Sequence, residues 1–150
     1  MTAYEYLSQA YMLDQLIQSK LLQIEKLKAL ANSTSGFVRP DRPVVKRTRS
    51  TDTMAETVMK IMEAEKELDE EIDAMVDKKL EIARTISMVQ DLAWQLVLEK
   101  RYLNFETWER IAAEMYISSR TALRMHEKAL EAVQEILDRE VSGHDPELPS

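Results

Sequence analysis

The sequence predicts an all-α protein: an N-terminal antiparallel hairpin of two long helices, followed by a C-terminal pair of shorter helices joined at a tight turn. Three observations carry this expectation. Only 2 of the 150 residues are Gly and none is Cys, while Leu, Met, Ala, Glu and Lys abound; this composition favours helices and rules out a disulfide framework. Apolar residues recur at intervals of three and four over long runs, where strands would alternate. Turn-forming residues gather in one internal stretch and at the C-terminus, leaving the rest uninterrupted.

The first long helix is expected over about 4–32. Tyr6, Ala10, Leu13, Ile17, Ile24, Leu27 and Ala31 form a heptad-like seam, with Lys20 as its one interruption. The second is expected over about 53–91, capped by Asp52 or Thr53. Its seam is Met54, Val58, Ile61, Leu68, Ile72, Met75, Ile82, Ile86 and Val89, with Glu65 and Lys79 also at seam positions. Residues 1–91 therefore read as one helical hairpin. Two helices alone bury little apolar surface, so the hairpin is expected to need a third partner, either the C-terminal helices or a second subunit.

Between the two seams, 33–52 holds Ser33-Thr34-Ser35-Gly36, Arg39-Pro40-Asp41-Arg42-Pro43 and Lys46-Arg47-Thr48-Arg49. This composition reads as a flexible basic connector. The stretch 37–50 is either a loop that happens to be basic, which is the simpler reading, or an arm able to track phosphates.

The C-terminal region, 92–140, carries the most specific pattern. Thr107 is placed to cap a helix whose apolar stripe is Trp108, Ile111, Ala112 and Met115. Ile117 follows as a core plug and Ser118 as the next cap. On the helix that begins near Ser119, Ala122, Met125, His126, Ala129, Val133 and Ile136 share one side at about 100° per residue. Arg120, Arg124 and Lys128 recur on the other side. A helix anchored by its apolar side and presenting Arg at i and i+4 can enter a major groove, where guanidinium forks pair with guanine or phosphate. Ser119 and Thr121 lie at its amino end, where such helices make their first contacts. A second stripe, Leu123, Leu130 and Leu137, extends the helix to about Arg139, and either packs on the hairpin or self-associates. Residues 141–150 read as a disordered tail.

The order Arg101-Tyr102, Thr107-Trp108-Glu109-Arg110-Ile111-Ala112, Ile117-Ser118-Ser119-Arg120, His126-Glu127-Lys128-Ala129-Leu130 resembles region 4 of sigma-70 factors, a promoter-reading helix-turn-helix. The likeness covers about residues 95–137. Over its whole length, including Tyr6-Leu7-Ser8-Gln9-Ala10-Tyr11 and Leu96-Val97-Leu98-Glu99-Lys100-Arg101-Tyr102-Leu103, the chain is similar to a family of small phage and prophage proteins of Gram-positive bacteria. That family's C-terminal half is in turn similar to ArpU- and RinA-type regulators of late phage genes. The resemblance implies a DNA-binding transcription regulator acting in the cytoplasm of a bacterial host. It puts Ser119, Arg120, Thr121, Arg124 and Lys128 on the exposed recognition face, and Thr107 and Arg110 at the start of the supporting helix, near phosphate. Three positions depart from the pattern: Tyr116 stands where Gly is usual, Arg110 replaces the acid of a capping box, and Glu127 and Glu131 interrupt the basic face.

Charge bounds the partners. The net charge of −7 opposes indiscriminate binding to a polyanion. Residues 34–51 hold five bases and one acid, 52–91 five and twelve, and 92–150 seven and eleven. Any contact with double-stranded DNA must therefore be local. No catalytic, metal-binding or cofactor constellation is legible: there is no Cys nucleophile, no phosphate-binding Gly loop, and His126 and His144 lack ligand spacing. The acidic run Glu67 to Asp73 reads as a solvated helix face. No apolar stretch is long enough to span a bilayer. The expectation is a non-enzymatic regulator without cofactor, metal, membrane or small-molecule substrate, a homo-oligomer such as a dimer, with RNA polymerase as a further partner through the hairpin. Two alternatives remain open: a phage DNA-packaging recognition protein, and a coiled-coil adaptor that binds no DNA.

Overall fold

The computed structural model describes residues 1–35 and 47–142. Among the described residues five α-helices occur: α1 (Ala3–Ser35), α2 (Arg47–Ser87), α3 (Leu92–Leu98), α4 (Trp108–Met115) and α5 (Ser119–Ser142), with one π-helical turn, Glu99–Leu103, continuing α3. No strand occurs among the described residues. None of the described helices is long and apolar enough to cross a membrane.

α1, α3, α4 and α5 each begin where a side chain accepts from a free N–H of the first turn. At α1 the Thr2 and Glu5 side chains accept from each other's backbone N–H (3.1 and 2.9 Å), a capping box. Asp91 accepts from Trp94 N–H at 3.1 Å and starts α3. At the end of α2, the Gln95 amide donates to the carbonyls of Ser87 and Val89 (3.1 and 3.0 Å), which the helix itself leaves open.

The long helices depart from their expected limits. α1 spans Ala3–Ser35 rather than 4–32, and α2 starts at Arg47 rather than at an Asp52 or Thr53 cap. No Gly or Pro lies in 47–53, so nothing there obliges the backbone to leave the helix. α2 ends at Ser87 rather than 91, because Asp91 is taken as the cap of α3. The expected connector at 33–52 is thus helical at both ends, and its residues 36–46 lie outside the described residues. At the C-terminus α5 runs on to Ser142, so Val141 and Ser142 of the tail expected at 141–150 are helical; its residues 143–150 lie outside the described residues.

Two compact units are distinguishable: Met1–Asp14 with Asp77–Ser150, and Gln15–Val76. In the first, Ala3, Tyr6, Leu7 and Ala10 of α1 meet Ile82, Ile86 and Val89, Leu98, Tyr102, and Ala129, Val133 and Ile136 of α5 in one core. Leu130 and Leu137 of the expected second stripe pack against it, while Leu123 remains 44 % exposed. Leu7, Ile82, Ile86, Leu98 and Val133 are fully buried; each contributes roughly 1.5–3 kcal/mol of transfer free energy. Polar groups in this core are paired. The Tyr6 hydroxyl lies 3.0 Å from Glu81 Oε2 and 3.1 Å from the Thr85 hydroxyl, and Ala3 N–H donates to Gln134 Oε1 at 2.8 Å.

In the second unit the α1 and α2 seams hold Ile24, Ile61 and Ile72 buried. Lys20, the seam's interruption, donates to Glu71 at 2.7 Å. Its counterpart in the first unit, Lys79, donates to Asp14 at 2.9 Å. Both seam lysines are therefore answered by an acid on the facing helix, which is how a polar seam position fixes register.

Candidate nucleic-acid interface

The site is built on the turn between α4 and α5. Thr107, in extended conformation, accepts from Arg110 N–H at 3.2 Å and opens α4. Ile111 and Ala112 are buried, with Trp108 and Met115 packed beside them. α4 stops because Tyr116 turns left-handed, at φ 59° and ψ 42°. Ile117 N–H then reaches back to the Ala112 carbonyl (3.0 Å) and Tyr116 N–H to that of Ala113 (3.3 Å), the paired bonds of a Schellman ending. Ile117 closes the turn against Ile111, Ala112 and Ala122. Ser118 accepts from Thr121 N–H at 3.0 Å and opens α5.

Beneath α5 an aromatic wedge sets its position. Trp108 meets the His126 ring edge-on at 4.7 Å between centroids, Tyr102 stacks on the other side at 5.7 Å, and the Tyr102 hydroxyl lies 2.7 Å from His126 Nε2. Burial, with the Arg101 charge adding to it, pushes His126 down to about 4, so the ring is neutral near pH 7. Burial pushes Tyr102 up to about 12. Arg101 lies over the Trp108 ring at 4.9 Å and donates to the Glu106 carbonyl at 2.9 Å.

On the opposite face of α5, Ser119, Arg120, Arg124 and Lys128 are exposed and Thr121 is half-buried. None of the three cations forms an ion pair among the described residues. Thr121 accepts from the Ser118 hydroxyl at 2.9 Å. Glu127 and Glu131 are exposed nearby. The described backbone thus offers a solvent-facing row of cations on the first turns of a helix whose other side, Ala122, Ala129, Val133 and Ile136, is buried.

Thr107 and Arg110 sit differently. The Thr107 hydroxyl is occupied as a helix cap. Arg110 Nε donates to Glu114 at 3.0 Å, and Glu114 also accepts a short bond from Lys100. These donors hold the Glu114 carboxyl down at about 2, Lys100 contributing most and Arg110 next. Glu106 completes the cluster, 4.0 Å from Lys100. Its buried Oε1 has no donor, and burial, then Glu114, raises its pKa. Of the two acids, Glu106 is the one that holds a proton longer. The Arg110–Glu114 contact has the i, i+4 spacing that sequence could have flagged; Lys100 and Glu106 join only because the π turn and the following loop fold back on α4.

No family model, curated protein or solved structure matches the chain.

Proposed function

We propose that the protein is a sequence-specific DNA-binding regulator: a long-helix hairpin carrying a C-terminal helix-turn-helix, with α5 as the reading helix. The observation that supports the reading is the pairing of opposites on α5. Arg120, Arg124 and Lys128 stand exposed and without ion partners among the described residues, while the residues behind them are buried. Unpaired surface cations carry no folding role that would explain their regular spacing, and guanidinium groups on the first turns of an anchored helix suit guanine edges and phosphates. The Ser118 cap leaves an N-terminal turn whose positive end favours a phosphate.

In this reading Arg120 and Arg124 reach base edges, Ser119 and Thr121 bind the flanking phosphate or base, and Lys128 contacts phosphate farther along. Thr107 and Arg110 flank the groove. The hairpin supplies self-association or contact with RNA polymerase, so the chain acts as an accessory regulator of transcription. A net charge of −7 keeps binding local and modest per copy.

The test is selection of bound fragments from randomised duplex DNA at physiological salt, followed by titration of Arg120→Ala and Arg124→Ala on the selected site. Each substitution is expected to cost about 1–3 kcal/mol and to relax preference at one position. Lys128→Ala is expected to weaken all sequences alike and to lower the salt slope by about 1. Enrichment of no sequence, or unchanged affinity in both Arg variants, refutes the assignment.

A further inference from the structure

A cleft of ≈ 340 Å³ opens in the first compact unit, lined by Tyr4, Ser8, Tyr11, Arg101, Tyr102 and Phe105 and by none of the α5 cations. Four of the six are aromatic and none is acidic. Tyr4 and Tyr11 remain 58 and 52 % exposed, an unusual state for large rings when the same helix buries Tyr6 and Leu7 a turn away. Tyr11 and Phe105 meet edge-to-face at 5.3 Å, and Lys79 Nζ lies over the Phe105 ring at 6.0 Å, so the exposed ring surface at the cleft is chiefly that of Tyr4 and Tyr11.

The backbone at its floor is held in unusual conformations. The π turn Glu99–Leu103 contributes Arg101 and Tyr102 to the lining, and Phe105 adopts φ 57°, a left-handed state disfavoured for a residue with a Cβ. The loop is locked in that state. Asn104 N–H donates to the Glu99 carbonyl and Glu106 N–H to that of Lys100, both at 3.0 Å, and Arg101 donates to the Glu106 carbonyl. The strain sets Phe105 beside Tyr11 and Arg101. Conformations of this kind concentrate where a fold shapes a ligand site.

The polar equipment is one-sided. The hydroxyls of Tyr4, Ser8 and Tyr11 have no partner among the described residues, and Arg101 spends one N–H on Glu106, leaving further donors. Open ring faces, three free hydroxyls, a fixed guanidinium and no acid together define a complement to a planar ring bearing a negative group. From this charge and shape complementarity we propose that the cleft is a binding site for a small aromatic acid, its ring against Tyr4, Tyr11 and Phe105 and its acidic group at Arg101. The volume suits one or two fused rings. Tyr102, which lines the cleft, is held from behind by its hydrogen bond to His126 of α5. The site stands on its own lining and does not require α5 to read DNA.

Amide chemical shifts of the full chain, titrated at pH 7 with indole-3-acetate and with 4-hydroxybenzoate, test the proposal. Saturable shifts are expected at Tyr4, Ser8, Tyr11 and Arg101 to Phe105, with Kd on the order of a millimolar or tighter. Indole-3-acetamide is expected to bind at least about fivefold more weakly, since it keeps the ring and loses the charge. Acetate alone is expected to give no saturable shift. Ser8→Trp, which fills the cleft from a half-buried position on α1, is expected to abolish binding while leaving the melting temperature and any DNA binding intact. The proposal is overturned if neither acid saturates, if the amide binds as tightly as the acid, or if Ser8→Trp binds as the parent does. Loss of DNA binding in Arg124→Ala with acid binding retained would separate the two sites.

Discussion

The Tyr102 hydroxyl and His126 Nε2 lie 2.7 Å apart, tying the π turn to the helix that carries the exposed cations. The bond joins a buried tyrosine to a half-buried histidine, both held neutral, His126 near 4 and Tyr102 near 12. Its consequence is a pH dependence. His126 titrates at 6.5 when unfolded and at about 4 when folded, so between those values the unfolded chain binds more protons. Stability is therefore complete above about 6.5 and falls as pH drops toward 4, with solvent screening of the half-buried ring limiting the loss from this group to on the order of 2 kcal/mol. Melting temperatures from pH 8 to 4 check this against His126→Gln, whose curve is expected to be flatter over that window. Identical slopes would remove His126 as the cause. Tyr102→Phe is expected to cost about 1–3 kcal/mol, since it strands a buried ring nitrogen.

The left-handed Tyr116 gives a sharper backbone test. Its side chain is 95 % exposed, so it adds almost no packing, while φ 59° disfavours any residue with a Cβ. Tyr116→Gly is expected to stabilise by up to about 1 kcal/mol, less what the freer unfolded chain takes back. Tyr116→Val, with a branched Cβ in the same conformation, is expected to destabilise by about 1 kcal/mol or more. Chemical denaturation of the pair decides it; a Val variant as stable as the Gly one would mean that the turn is not left-handed.

Both seams were readable before any coordinates because heptad spacing is a one-dimensional pattern. Every predicted seam residue, from Tyr6 to Ala31 and from Met54 to Val89, is buried or half-buried. The caps Thr107 and Ser118, the left-handed Tyr116 and the apolar side of α5 were likewise local, set by neighbours within four residues. What the sequence hid depends on distant chain meeting. Sequence drew a boundary near residue 91, while the compact unit takes in Met1–Asp14 and Asp77–Ser150, because Leu7, Ile86 and Val133 share one core. The cleft at Tyr4 and Phe105, the π turn and the Lys100–Glu114 contact were invisible for the same reason. The exposure of Arg120, Arg124 and Lys128 matches the periodicity; what they bind is a matter for titration.

Lys20 supplies a test of the seam. It is the polar break in the α1 stripe, its side chain 19 % exposed, while its partner Glu71 is 54 % exposed. An ion pair so open on one side is worth about 0–1 kcal/mol, and Glu71 loses little if left alone in water. Lys20→Leu is therefore expected to raise stability by about 1 kcal/mol through added apolar burial, at the cost of the polar constraint on register. Thermal unfolding checks the first effect; a lower melting temperature would show that the Lys20–Glu71 pair contributes more than its exposure allows.

Arg110 separates the sequence-level expectation for DNA contact from what its surroundings permit. Its charge is met by Glu114 at 3.0 Å, and Glu114 is itself shared with Lys100, so an approaching phosphate must compete with a carboxylate for both cations. In the DNA-binding reading, Arg110→Ala is expected to lose less affinity than Arg124→Ala, under about 1 kcal/mol against about 1–3. Glu114→Gln is expected to act in the opposite direction. It removes a negative charge beside the proposed groove and releases Arg110 and Lys100, so affinity for duplex DNA is expected to rise and the salt slope to steepen by about 1 to 2. The same change weakens the Lys100–Glu114 link between the π turn and α4, so a slightly lower melting temperature is expected alongside tighter binding. Titrations of the three variants on one duplex at two salt concentrations order these effects. Equal losses for Arg110→Ala and Arg124→Ala, with no gain for Glu114→Gln, would mean that Glu114 yields Arg110 to phosphate without resistance.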